Sequence, residues 1–285
     1  MSVLLQLRTA SLAADHGVRW GGDQPGTVKR LAEAEEAGDG DLVVCGRKAL
    51  EAVSLAAWRR GAIVIAQGRP EATEGGQRWG IHASPLLLLA ALLECAEDTR
   101  GEPELGVGVK VGAGVILERG TRVGDHAEIG AYSVIGQQGF GFVENAGRAK
   151  RIRHLGGVVI ESNVSLGAFV TVDAGTLSPT RIGEHSHLDS HVHIGHNVQI
   201  GAHTMIAAQS GIAGSARIGS HVRIGGQVGI ADHVMVGDKA QIAAKSGVLS
   251  KVPEGAIYAG YPAVERTRYF RWVATLLRGE VGEGG

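Results

Sequence analysis

Aromatic residues are scarce in this chain: Phe, Tyr and Trp together make up 4% of 285 residues. Cysteine is scarcer still. Cys45 and Cys95 are the only two, and they form no CxxC pair. That spacing implies neither a disulfide framework nor a zinc knuckle. Net charge is nearly absent, at −1, which removes the electrostatic reason to expect a nucleic-acid partner. No run of 18 apolar residues occurs, so no membrane span is expected. The opening MSVLLQLRTASLAADHG has a short apolar patch without a basic stretch leading into a longer apolar one. It does not read as a signal peptide, and the expected location is the cytoplasm.

Glycine, by contrast, is abundant, at 45 of 285 residues, in a chain that is 44% hydrophobic and 20% charged. Many glycines with few large rings suggest a tightly turned, repetitive backbone. Collagen is excluded because no G-X-Y period runs through the sequence. The period that does run is six. An aliphatic residue recurs at Val111, Leu117, Val123, Ile129 and Ile135. It stops in QQGFGFVENAGRAKRIRHLGG and resumes at Ile160, Leu166 and Val172. It slips by four near Ser178-Pro179, then continues unbroken from Ile182 to Val248.

A helix requires spacings of three and four, and an ordinary strand a spacing of two. A strict six predicts a triangular solenoid in which each hexapeptide supplies one short strand and one corner. Three hexapeptides make a coil of 18 residues, and residues 105–250 make roughly eight coils. The aliphatic residue points inward and stacks on its equivalent in the next coil, about 4.8 Å away. Glycine and small residues are expected at corners, where positive φ or close backbone approach is needed. The stretch 137–157 is too long for a corner and is read as a loop leaving the prism. Its Phe140 and Phe142 either pack that loop onto the coils or touch a ligand.

Residues 1–100 lack the period. GDGDLVVCG and AIVIAQG read as strands, ALEAVSLAAWRRG as a helix, and SPLLLLAALLECAED as a helix with Ser84 as N-cap and Pro85 at N1. The expected architecture is therefore mainly β: a small α/β domain over 1–100, a parallel β-helix over 101–262, and a C-terminal helix and tail over 263–285. The terminal helix is expected to place Tyr269, Trp272, Val273 and Leu276 on one apolar side, against the end of the prism or a neighbouring subunit.

Histidines are concentrated at 185, 187, 191, 193, 196 and 203. The period points them at different faces and no carboxylate stands at tight ligand spacing, so no metal site is expected. His196, in HIGHNVQIG, follows the inward Ile194 by two positions and sits at a corner. A neutral imidazole there can take a proton from an attacking amine or hydroxyl. Gly214 lies one coil further on, hence stacked beside His196. Its N–H is placed to hold the oxyanion of a thioester under attack.

The run IGHNVQIG…IAAQSGIAGSARIG…IGGQVGIADHVMVGD…AAKSGV, with GFGF before it and VDAGT between, resembles the UDP-3-O-(3-hydroxyacyl)glucosamine N-acyltransferases of lipid A biosynthesis. The resemblance covers about residues 105–262 and implies a left-handed winding. It implies that His196 is the general base, that Gly214 supplies the oxyanion amide and that Asp189 of HLDSH orients His196. It places His233, Phe140, Phe142 and Asp173 on the substrate side. The implied reaction moves a 3-hydroxyacyl chain from acyl carrier protein to the 2-amine of a UDP-linked, O-acylated glucosamine. It requires no cofactor, the acyl-phosphopantetheine of the carrier protein being the donor substrate. The implied assembly is a homotrimer. The chain departs from the pattern at Ala174, where an arginine is usual, and at Val43 and Gly46, where the family's uridine-stacking ring and amide are usual. Two alternatives therefore stand beside the first reading. One is a related sugar N- or O-acyltransferase using another nucleotide sugar or a short acyl-CoA. The other is a non-catalytic trimeric paralogue.

Overall fold

The computed structural model describes residues 3–20, 26–45, 57, 60–67 and 78–277. They form two compact units. The first comprises Met1–Arg100, Gly141–Gly156 and Thr176–Ser178; the second comprises Gly101–Phe140, Gly157–Gly175 and Pro179–Gly285.

In the first unit a six-stranded sheet runs in the order Val3–Arg8, Thr27–Leu31, Asp41–Val44, Ile63–Ala66, Trp79–Ile81, Arg19–Trp20. Its four central strands are parallel. Such strands are covered on both faces and read as continuous apolar runs, as Ile63–Ala66 does, buried at every position. Leu31, Leu42, Ile63 and Ile65 pack on Leu88, Leu92 and Leu93 of the helix Pro85–Cys95. Val43 and Val64 pack on the opposite side with Trp79. Pro85 opens that helix as expected, and Ser84 holds the N-cap place without a side-chain capping bond. Most of the expected helix ALEAVSLAAWRRG lies outside the described residues.

The second unit is a left-handed parallel β-helix. Its three faces are sheets of seven, nine and seven strands. Each predicted aliphatic residue lies on one strand, and closes it everywhere except in Val134–Gln137 and Thr171–Asp173. Ile182 pairs with Ile200 on the first face, Leu188 with Ile206 on the second and Ile194 with Ile212 on the third. These residues fill one continuous core from Val123 to Val252. Inside it, hydroxyls relay between coils. Thr204 Oγ1 donates to Gly219 O at 2.9 Å and accepts from Val222 N–H at 3.2 Å. Ser186 and Ser210 repeat the pattern. A buried hydroxyl costs little when both its roles are filled.

The corners differ from expectation. The left-handed backbone positions are held mostly by His, Asn, Gln and Lys, not glycine: His185, His203 and His221 have φ of 56–58°. Asn and His tolerate that region better than most residues. This accounts for His185, His191 and His203 in the histidine cluster, whereas His187 and His193 lie on strands. The rings of His185, His203 and His221 stack in parallel, 5.1 and 4.8 Å apart. The glycines sit instead just after the strands, where coils approach closely. A Cβ on Gly225 would fall 2.5 Å from Ala244 N.

Both breaks in the period have a structural cause. The expected loop is a β-hairpin, Phe142–Asn145 with Arg148–Arg151, and it belongs to the first unit. Arg153 Nη1 donates to Leu93 O and Ala96 O, capping the helix Pro85–Cys95. The four-residue slip falls where the Thr176–Ser178 segment joins the first unit, its Leu177 buried in that unit's core. The C-terminal helix is Arg266–Leu277, and none of its residues is buried. No helix among the described residues is long and apolar enough to cross a membrane.

Candidate active site

The third face of the β-helix positions the site. Its strands Thr171–Asp173, His193–Ile194, Gly211–Ile212, Gly229–Ile230 and Gly247–Val248 stack in register. Along them runs a groove of about 860 Å³. His196, Gly214, His233, Asp173 and Phe140 all line it.

His196 and Gly214 are adjacent, as the eighteen-residue offset predicts. A Cβ on Gly214 would lie 2.6 Å from His196 Nε2, so only glycine leaves the ring in place. Backbone hydrogen bonds lock the two coils there. Ser215 N–H donates to His196 O at 2.8 Å, and His233 N–H donates to Gly214 O at 3.1 Å. The N–H groups flanking Gly214 are used, by Ile230 O and His196 O. That of Gly214 has no protein acceptor among the described residues. The site thus holds an imidazole nitrogen beside an available backbone donor.

Asp173 is the buried carboxylate of this groove, which the exposed Asp232 also lines. It is 3% exposed. Burial pushes its carboxyl above the ordinary range, against a hydrogen bond from Gln137 and the charges of His193 and His196. Gln137 Nε2 donates to Asp173 Oδ1 at 2.9 Å. His193 Nε2 lies 3.8 Å from Asp173 Oδ2, and its Nδ1 is 2.8 Å from Thr171 Oγ1. Gly139 is the third neighbour: a Cβ there would meet His196 Cβ at 2.8 Å and Asp173 Oδ2 at 3.2 Å. His196 Nδ1 is 3.0 Å from Asn197 Oδ1.

Two expected members are elsewhere. Asp189 lines a groove on the second face, where its Oδ1 accepts Ser190 N–H at 2.7 Å. Within one chain it does not reach His196. Phe142 lies in the hairpin of the first unit with Arg151 4.6 Å above its ring. Phe140 stands at the groove, 86% exposed. Sequence reasoning passed over His193, Gln137, Gly139 and Asn197. Asn197 had a signal in HNVQIG, Gly139 in GFGF and His193 in the histidine cluster, and Gln137 had none.

The family pattern described as "Bacterial transferase hexapeptide (six repeats)" matches residues 179–214, the segment that carries His196 and Gly214. The chain carries transferase hexapeptide repeats. A stretch of 76 residues, 27% of this chain, is 42% identical to the UDP-3-O-acylglucosamine N-acyltransferase of Hahella chejuensis. A 76-residue match to the enzyme of the same name from Pseudomonas savastanoi pv. phaseolicola is 37% identical. The chain matches 22% of the length of each of these relatives. Among solved structures, a UDP-N-acetylglucosamine acyltransferase of Bacteroides fragilis aligns with a TM-score of 0.51 and 19% identity. That alignment covers 60% of this chain and 74% of the other, a likeness of fold.

Proposed function

We propose that this chain is an N-acyltransferase of lipid A synthesis. It moves a 3-hydroxyacyl chain from acyl carrier protein to the 2-amine of UDP-3-O-acylglucosamine. The observation that carries the reading is the His196 imidazole seated against Gly214 in an open groove, on the repeats that resemble enzymes of that name. Asn197 Oδ1 accepts from Nδ1–H, which leaves the Nε2 lone pair as the base. As the amine attacks the thioester carbonyl, Nε2 takes its proton and the C–N bond forms. The oxyanion is held by Gly214 N–H. Collapse breaks the C–S bond, and the imidazolium returns its proton to the leaving thiolate. The buried Asp173 carboxylate, beside His193 and His196, favours the transient imidazolium. His233 and Phe140 line the substrate side. The enzyme works as a homotrimer in the cytoplasm, with acyl carrier protein and a nucleotide sugar as its partners.

The test is transfer of a 3-hydroxyacyl group from carrier protein to UDP-3-O-acylglucosamine by the purified chain. His196→Ala is expected to lower kcat by at least ~10²-fold with an unchanged melting profile. Turnover equal to wild type would remove His196 from the mechanism.

A second reading is favoured by one observation. Val43, at the position expected to stack on uridine, is 2% exposed and packed in the sheet core. Gly46, the other position, lies outside the described residues. A buried valine offers no ring face to a base, which supports another nucleotide sugar as acceptor. Calorimetric titration with uridine nucleotides against other nucleotide sugars separates the two readings.

A further inference from the structure

His193 holds the outward position of its strand on the third face, and the same position on the next coil is Gly211. A Cβ on Gly211 would meet nothing within 4 Å, so the ring is open on that side. Its side chain keeps 48% of its surface exposed. The contacts that set the ring come from the coil before. Nδ1 lies 2.8 Å from Thr171 Oγ1, and Nε2 lies 3.8 Å from Asp173 Oδ2. A threonine hydroxyl suits either form of the ring: it donates to Nδ1 of the neutral imidazole and accepts from Nδ1–H of the cation. In both forms Nε2–H faces the carboxylate. His193 can therefore gain a charge by the turn of one hydroxyl.

His196 is placed differently. Asn197 Oδ1 lies 3.0 Å from its Nδ1, and Asn197 is itself fixed, its N–H donating to Thr180 Oγ1 at 2.9 Å. Nε2 of His196 lies beside Gly214, whose N–H has no protein acceptor among the described residues. A proton on that nitrogen sets a second donor beside the first. Both rings nevertheless act on one buried carboxylate: Gln137 donates to Asp173 Oδ1, and His193 and His196 both oppose the upward push of burial on its carboxyl. One buried anion compensates one imidazolium; a second would stand beside a like charge. Of the titratable groups lining the groove, Asp173, His193 and His196 are the ones at this level. Asp232, His233, Lys245 and Tyr261 stand on coils further along, and His191 lies at the neighbouring corner, stacked on Phe169.

We propose that His193 is a positioning residue that takes the first proton gained beside Asp173 and so leaves His196 free to act as the base. Imidazole changes charge between about pH 5 and 8, the range in which a lone histidine base is lost to protonation. Here the proton goes to the ring that faces the carboxylate and not to the ring that faces an amide donor. The His193–Asp173 pair is then neutral, and His196 no longer stands beside an unshared anion. The inference rests on the acyl-transfer reading and deepens it: a second histidine, acting through Asp173, extends turnover toward acid.

The pH profile of kcat/KM tests it. His193→Gln removes the ring that takes the proton and keeps a polar side chain at that position. Its acid limb is expected about one pH unit above that of wild type, whatever the height of the plateau. In the Asp173→Asn background the same substitution is expected to leave the limb in place. A purely structural loss scales the profile without moving the limb, and circular dichroism melts confirm that the variants fold. An acid limb that does not move in His193→Gln, or moves to lower pH, overturns the proposal. So does a displacement that persists in Asp173→Asn. Histidine-selective NMR titration of the wild-type protein needs neither a variant nor turnover. His193 is expected to take up its proton before His196, and the reverse order overturns the proposal. If the wild-type chain transfers no acyl group at all, the reaction reading fails instead, and the order of protonation is still decided by the NMR titration.

Discussion

Burial decides what the chain's two thiols can do. Cys45 is buried, and desolvation, with the charges of Glu33 and Glu35, pushes its thiol up to about 11. Cys95 is exposed. The thiolate is the reactive form, so maleimide at pH 8 is expected to label Cys95 alone, and Cys45 only after denaturation; mass spectrometry of the labelled peptides checks this. The same physics governs Asp173. Its folded carboxyl binds a proton more tightly than it does in the unfolded chain, because burial outweighs Gln137 and the two histidines. The folded state therefore holds more protons between the ordinary and the raised value, and stability falls as pH rises through that window. Asp173→Asn is expected to melt higher than wild type at pH 7, with the difference vanishing below the ordinary carboxylate range. Equal melting points across that range would contradict it. Gly214→Ala is expected to lower kcat by about 10²-fold or more while the protein still folds, since its Cβ invades the His196 ring. The pairing of His196 with Gly214 was legible because one offset, eighteen residues, sets it. The same arithmetic places Asp189 within the chain. Seven residues before His196, it falls on the preceding face of the prism. Asp173 and Gln137 sit beside His196 through chain that leaves the period and returns, and no spacing records that.

At the scale of the element, the interior hydroxyls are the informative residues. Thr204 fills both its hydrogen-bonding roles inside an aliphatic core. Thr204→Val keeps the shape but leaves Gly219 O and Val222 N–H without that partner. A loss of about 1–3 kcal/mol is expected from denaturant unfolding, less than the roughly 2–5 kcal/mol expected for Ile206→Ala on the neighbouring strand. A neutral Thr204→Val would mean that the coils do not need the relay. The strands were readable because each is short and carries one inward aliphatic residue in a fixed place. The corners were legible in part: of the two needs expected to call for glycine, close approach of coils does so, while positive φ is met mostly by polar residues. The hairpin Phe142–Asn145 with Arg148–Arg151 was unreadable: its residues are mostly polar and exposed.

Across the whole molecule, a solenoid is close to one-dimensional, its stability a sum over coils and their nearest neighbours. Protection is therefore expected to vary along the chain. Leu105, Val107, Val111 and Ile116 of the first coil are exposed, whereas Ile182, Ile194, Ile206 and Ile212 are buried. Amide exchange is expected to be slowest over 182–230 and fastest over 104–117, and a flat profile would argue for a single cooperative block.

The spacing of the rungs also sets an arithmetic for change. Adding or deleting 18 residues leaves every inward side chain inward, and other lengths keep the register only where a corner absorbs them, as between Thr171 and His193 or between Gln241 and Ile257. Between His196 and the last strand of that face, inserting one whole coil thus lengthens the groove by one rung, about 4.8 Å. The length of this fold is counted in whole steps, and finer adjustment is left to the corners.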